Sequence, residues 1–227
     1  MTADTTGPLI ADRVEQPTGI PERLAAQMRF IVEVDQLKTV LRRSPLLAAD
    51  RRENDAEHSW HLALMVLLLA EYADEPIDVA RTLALVLVHD LVEIYAGDSF
   101  LYDPAACADQ AEREQRAADR LFDLLPADQA AEFRALWDEF EQRATPEARF
   151  AKAMDRLQPL LLNFNSRGGT WKTPGVTDAV VRDRKSVIGD ASTELWRYGQ
   201  ALIDLGAARG WVTAAAADGT TAGEAAT

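Results

Sequence analysis

Among its 227 residues the chain has a single cysteine, Cys107, and only three histidines and four lysines. One cysteine allows no disulfide framework, so the fold is expected to rest on burial alone, in a reducing cytoplasm. Long apolar runs are also missing. The longest, 62–70, is nine residues, well short of the roughly 20 that a membrane-spanning helix needs. Residues 1–19 carry acids and no apolar stretch, and are expected to be a flexible segment rather than a signal peptide. Basic charge is in deficit, with 24 Lys and Arg against 37 Asp and Glu and a net charge of −13. A nucleic-acid surface requires a basic stripe, so that class of partner is not expected. Strand-like alternation and internal repeats are absent too. The chain reads as a soluble, cytoplasmic, all-α protein, long enough to bury one substantial core.

Helical periodicity runs almost throughout. Residues 21–42 carry Leu24, Met28, Ile31, Val32, Leu37 and Val40 at helical spacing, with Pro21 suited to a first turn. The polar segment 46–57 then leads into two strongly apolar helices, 57–72 and 78–94, expected at the centre of the core. Helices over 104–124, 128–142 and 145–164 follow, the last with Thr145 as N-cap and Pro146 at its first position. Pro159 inside it removes a hydrogen bond and presses on the carbonyl of Asp155. A loop over 165–175 separates this from a long amphipathic helix, 177–205, ended by Gly206. The stretch 212–227 is small and polar and is expected to be a disordered tail.

The three histidines, His58, His61 and His89, lie among acids. In a helix over 78–94, Glu93 would follow His89 by four residues and Asp90 by three, crowding one face. Such a cluster repels itself unless a cation or a proton sits in it. The preceding 83–88 is apolar on every side, which puts the cluster at the end of a buried helix, where unpaired charge costs several kcal/mol or more.

Four separated segments extend this pattern: Arg51-Arg52-Glu53-Asn54-Asp55-Ala56-Glu57-His58, His89-Asp90-Leu91-Val92-Glu93, Gly97-Asp98, and Lys152-Ala153-Met154-Asp155. Their order resembles that of the HD-domain metal-dependent phosphohydrolases, over roughly residues 22 to 165, and most closely the 5′-deoxynucleotidase-like branch. The resemblance implies a single compact helical bundle over 20–211, with one divalent cation held by His58, His89, Asp90 and Asp155. It also implies that Glu93 positions or deprotonates the attacking water and that Asp98 stands beside the leaving oxygen. A basic residue upstream of the first histidine binds phosphate in that branch, and Arg42 and Arg43 are the two candidates. Where some relatives carry a tryptophan that reads the sugar, this chain has Ser44-Pro45.

Two imidazoles and two carboxylates suit Mn²⁺, Co²⁺, Fe²⁺, Ni²⁺ or Zn²⁺, with Mg²⁺ less favoured by imidazole. The expected activity is hydrolysis of a small phosphorylated substrate, a (deoxy)nucleoside 5′-monophosphate, by a homodimer. Cyclic-nucleotide or alarmone hydrolysis is the enzymatic alternative, although Ile94 stands where alarmone hydrolases usually carry a second acid. A non-catalytic helical scaffold with a vestigial metal site is the other alternative. His61 is expected in a packing or hydrogen-bonding role, and the five tryptophans in the core rather than in a base-stacking platform.

Overall fold

The computed structural model describes residues 9–13, 15, 17–103, 105 and 108–215. Helices begin where the sequence supplies caps. Helix α1 covers Glu22–Glu33. Helix α2, Asp55–Leu69, starts from a reciprocal box in which the Asn54 side chain accepts the Glu57 N–H and the Glu57 carboxylate accepts the Asn54 N–H, an arrangement worth about 1 kcal/mol. Asp78 caps α3, Val79–Val88, by accepting the N–H groups of Ala80 and Arg81. A turn over 89–92 leads to the one-turn helix α4, Glu93–Ala96. Then come α5, Gln110–Phe122, and α6, Ala127–Gln142. Thr145 caps α7, Pro146–Asn165, with proline at its first position as expected. The chain finishes with α8, Asp178–Lys185, and α9, Thr193–Ala208.

Helix α7 is the axis of the core. Phe150, Met154, Leu157 and Leu160 are fully or almost fully buried along it, and the alanines 148, 151 and 153 let α2, α3 and α6 come close, since side-chain size at the contact sets interhelical distance. Pro159 lies within α7 without breaking it.

Several boundaries differ from the sequence reading. The helix expected over 21–42 stops at Glu33. A 3-10 segment, Val34–Thr39, then feeds strand β1, Leu41–Pro45, which pairs antiparallel with β2, Arg52–Asn54. No strand was expected, because a ribbon this short leaves no alternating pattern; its backbone partner lies across a loop that local periodicity does not see. The helix expected over 78–94 ends at Val88. The long helix expected over 177–205 is split by a 3-10 segment, Ser186–Asp190. There Ser192 accepts the Leu195 N–H and donates to the Tyr72 carbonyl at 2.6 Å, so a side chain that caps α9 competes with continuation of the helix.

At the C-terminus Val212 is buried and Thr213 bridges Thr177, so the packed chain continues past residue 211 to Ala215. The rest of the expected tail, 216–227, lies outside the described residues. So do residues 1–8, 14 and 16 of the expected N-terminal segment, and Cys107. Within that segment Ile10–Arg13 forms a 3-10 turn whose buried Ala11 donates its N–H to Glu33. Among the described residues no helix is long and apolar enough to cross a membrane.

Candidate metal centre

The α2 cap fixes the rotation of that helix so that His58, one turn in, points inward and is fully buried. His89 caps the end of α3, and its Nδ1 lies 2.8 Å from the Val86 carbonyl. That hydrogen bond makes Nδ1 the donor and turns Nε2 toward the centre, the nitrogen a metal would use. On the other side the Gln158 Oε1 stands 3.1 Å from His58 Nδ1, while the Gln158 amide donates to Glu53 at 2.6 Å. This relay turns His58 Nε2 toward the same point. Asp155 comes from α7 and Asp90 from the turn after α3.

The four ligands expected from sequence therefore converge. His58 Nε2 is 3.2 Å from Asp155 and 3.9 Å from Asp90, and His89 Nε2 is 2.9 Å from Asp90. Donor atoms of His58, His89 and Asp155 lie within 4.8 Å of one another, as do those of Asp55, Asp90 and Glu93. Glu93 reaches the site from the first position of α4 rather than from a continuous helix. Asp98 follows Gly97, whose φ of +74° turns the chain back in a conformation that L side chains rarely adopt. Asp98 borders the clefts on both sides of the centre.

The two candidate arginines separate. Arg42 is drawn into the centre, with Nη1 at 2.8 Å from Asp90 and 3.1 Å from Asp55, and Nη2 at 3.8 Å from Asp155. Arg43 lies over the Phe100 ring and forms no ion pair with a described residue. Lys152 approaches Asp155 and Glu141, and Arg51 pairs with Glu57. His61 takes the hydrogen-bonding role expected of it, with Nδ1 at 3.3 Å from the Gln158 amide. The tryptophans divide: Trp137 and Trp171 are core, whereas Trp60 is exposed.

Sequence reasoning missed Asp55, Glu53, Gln158, Arg156 and Lys185. Asp55 is fully buried, though an acid in the first turn of a helix is ordinarily solvated there by preference for the helix dipole. Gln158 lies one turn after Asp155, and only that spacing hinted at it.

The electrostatics follow from crowding. Burial, then the charge of Asp90, pushes Asp55 up to about 7. Burial, then Asp90 and Asp55, holds Glu93 well above the usual carboxylate range. Oxygens of these two carboxyls and of Asp90 lie within 4.8 Å of one another, and like charges so close favour a shared proton. Burial also raises Asp98, against the pull of Arg42. For Asp90, burial is outweighed by His89 and Arg42, and for Asp155 by Arg156 and Lys152, so both are held below the usual range. Burial and Arg42 work against a charged His58, but its carboxylate neighbours Asp155, Glu53 and Asp90 keep it above the ordinary histidine value.

These residues fit a divalent cation. His89 Nε2, Glu93 Oε2 and Asp55 Oδ2 are buried without hydrogen-bond partners, an arrangement native proteins rarely leave uncompensated. The donor set mixes nitrogen and oxygen, as borderline metals prefer.

The chain is similar to known proteins. The HD-domain pattern matches residues 34–196. The 5′-deoxynucleotidase HDDC2 of Xenopus laevis is 28% identical over 183 residues, covering 72% of this chain and 90% of that protein. The human 5′-deoxynucleotidase HDDC2 is 30% identical over 135 residues, 59% of this chain and 65% of that protein. A crystal structure of a predicted metal-dependent phosphohydrolase from Magnetospirillum magnetotacticum MS-1 superposes with a TM-score of 0.80 at 55% identity, over 85% of this chain and 99% of that one. Because this pattern spans most of the chain, from the segment before β1 into α9, this chain belongs to the HD-domain family.

Proposed function

We propose that this protein is a metal-dependent phosphomonoesterase that acts on nucleoside 5′-monophosphates. The observation that carries the reading is the convergence of two inward-facing imidazole Nε2 atoms and four buried carboxylates beside a cleft bordered by Arg43, Arg156 and Lys185. Relatives described as 5′-deoxynucleotidases support it. His58, His89, Asp90 and Asp155 would hold one divalent cation, which supplies Lewis acidity toward water and phosphoryl oxygens. Glu93, with its raised pKa, is poised to take the proton of the attacking water. Asp98, buried enough to stay protonated longer than an ordinary aspartate, gives a proton to the departing 5′-oxygen. Arg43 is the better phosphate anchor of the two candidates, because Arg42 is already committed to Asp55 and Asp90.

The enzyme is proposed to work in the cytoplasm as a homodimer. Trp60, Leu64, Leu67 and Leu68 are exposed at helical spacing on α2, and a second copy would cover such a strip. Sedimentation velocity of the wild type and Leu68→Glu tests this: a dimer that becomes monomeric is expected.

A phosphate-release screen over a phosphoester panel, with Mn²⁺, Co²⁺ and Mg²⁺ added in turn, tests the activity. The fastest turnover is expected on nucleoside 5′-monophosphates. Release only from cyclic or pyrophosphate-linked substrates would overturn it.

A further inference from the structure

Lys185 is the last residue of α8 and is 2% exposed. Its ammonium forms no ion pair or hydrogen bond with a described residue. The other lysines that reach acids do so openly: Lys38 pairs with Asp35, and Lys152 with Glu141 and Asp155. Around Lys185 the charges of Arg156, Arg42 and Lys152 oppose its ammonium, and Asp155 attracts it. An ammonium buried among cations is unfavourable unless an anion joins it. A residue that only filled the core would do so better without the charge.

Its side chain borders the cleft beside the metal centre, together with Arg43, Asp98 and Arg156. Of these cations Arg156 is engaged by Asp155 at 3.2 Å, which leaves Arg43 and Lys185 as those without a carboxylate partner. Phe100 and Tyr102 line the same cleft and also the wider opening toward Arg52 and Thr173. In a chain of net charge −13, this is a local concentration of positive charge with a route to solvent.

We infer that Lys185 is a phosphoryl-binding residue, which with Arg43 forms the anion pocket that receives the substrate's terminal phosphate dianion beside the metal centre, while Phe100 and Tyr102 border the organic portion. The inference rests on the phosphomonoesterase reading and deepens it. Lysine suits this place because a point charge can approach a phosphate oxygen from a buried stem. Burial pushes its ammonium down to about 7, and an arriving dianion favours the protonated form.

The test is a calorimetric titration of metal-loaded, full-length protein with inorganic phosphate, the reaction product, for wild type, Lys185→Met and Lys185→Arg. Lys185→Met is expected to keep metal and helical content, to bind phosphate at least tenfold more weakly, and to raise KM more than it lowers kcat. Lys185→Arg is expected to recover a large part of the affinity. In phosphate-free buffer Lys185→Met should melt above wild type, because it removes an uncompensated charge. Unchanged phosphate affinity in folded, metal-loaded Lys185→Met would overturn the proposal, as would a lowered melting point with affinity intact, the signature of a core filler. Should Lys185→Met fail to fold, the same titration of Lys185→Gln decides by the same tenfold criterion. If the wild type released phosphate from no ester, the phosphomonoesterase reading would fail while the phosphate isotherms still judged Lys185.

Discussion

Two clefts share Arg42, Asp98 and Arg156 but differ in sign, and His89, Asp90, Glu93 and Asp155 line only the one toward α5 and α6. The one toward α8 is bordered by Arg43 and Lys185, and the one toward α5 and α6 by Glu114, Glu141 and Gln110. On the second side burial raises Glu114, relieved in part by Gln110, and Lys152 is claimed by Glu141 and Asp155. An anion entering from that side meets carboxylates. From the α8 side it meets Arg43 and Lys185, which have no carboxylate partner among the described residues. Net charge therefore says little about where a phosphate docks, because a handful of residues in a low-dielectric cleft outweigh the distant, screened charges of the surface.

The largest effect should come from the candidate metal ligands that line the cleft toward α5 and α6. Asp90→Ala is expected to abolish metal binding and lower phosphate release by about a thousandfold or more, since it removes a ligand and the closest partner of Arg42. Metal analysis beside circular dichroism checks this, and full metal occupancy in the variant would show that Asp90 is no ligand. Next, Glu93→Gln should keep its metal but lose about a hundredfold in turnover, the scale of a lost general base. Steady-state kinetics on metal-loaded variant decides it.

The difference between the sides is tested most directly by a pair. Arg43→Ala should raise KM about tenfold, whereas Glu114→Gln on the acidic side should change it less than about threefold; equal responses would erase the distinction. Arg42→Ala should behave unlike Arg43→Ala, lowering the stability of metal-free protein by about 3 kcal/mol, because a buried cation among carboxylates is removed. Denaturant unfolding measures that.

A pH series sharpens the comparison further. Lys185 is held at about 7 in the folded protein against an ordinary value of 10.5, so between these values the unfolded chain binds more protons. Stability of metal-free, phosphate-free protein should therefore rise with pH across that window through this residue, and the benefit is lost as pH falls through 7. The difference between wild type and Lys185→Met in urea unfolding should shrink from pH 7 to pH 10. The smallest effect concerns the sugar. Ser44 is buried in β1 and offers no ring to press on it, so ribo- and deoxyribonucleotides should differ by no more than about tenfold in kcat/KM.

Much of the helical framework was legible because caps and periodicity are local. Thr145 announces α7, and the apolar content of 62–70 and 83–88 marks the core. The ends of α1 and α3 were not legible. At both, the apolar pattern continues past the point where a ribbon pairing or a turn takes over, and periodicity cannot tell a helix from buried irregular chain. In the site, His58, His89, Asp90 and Asp155 stood out through motif order. Asp55 looked like one more acid of the polar segment before the helix, and Lys185 like one more base in the run 182–185.

The sequence by itself determined an all-α chain without disulfides, the order of its acid and histidine motifs, and hence the family and the class of metal it suits. Those features depend on residue identity and near neighbours along the chain. Only the tertiary structure decided that Arg42 turns inward while Arg43 faces the cleft, that Gln158 orients His58 across 100 residues, and that Lys185 ends buried without an ion-pair partner among the described residues. Each of these depends on which groups are left without water and which partners remain within reach, and that is set by packing between distant segments.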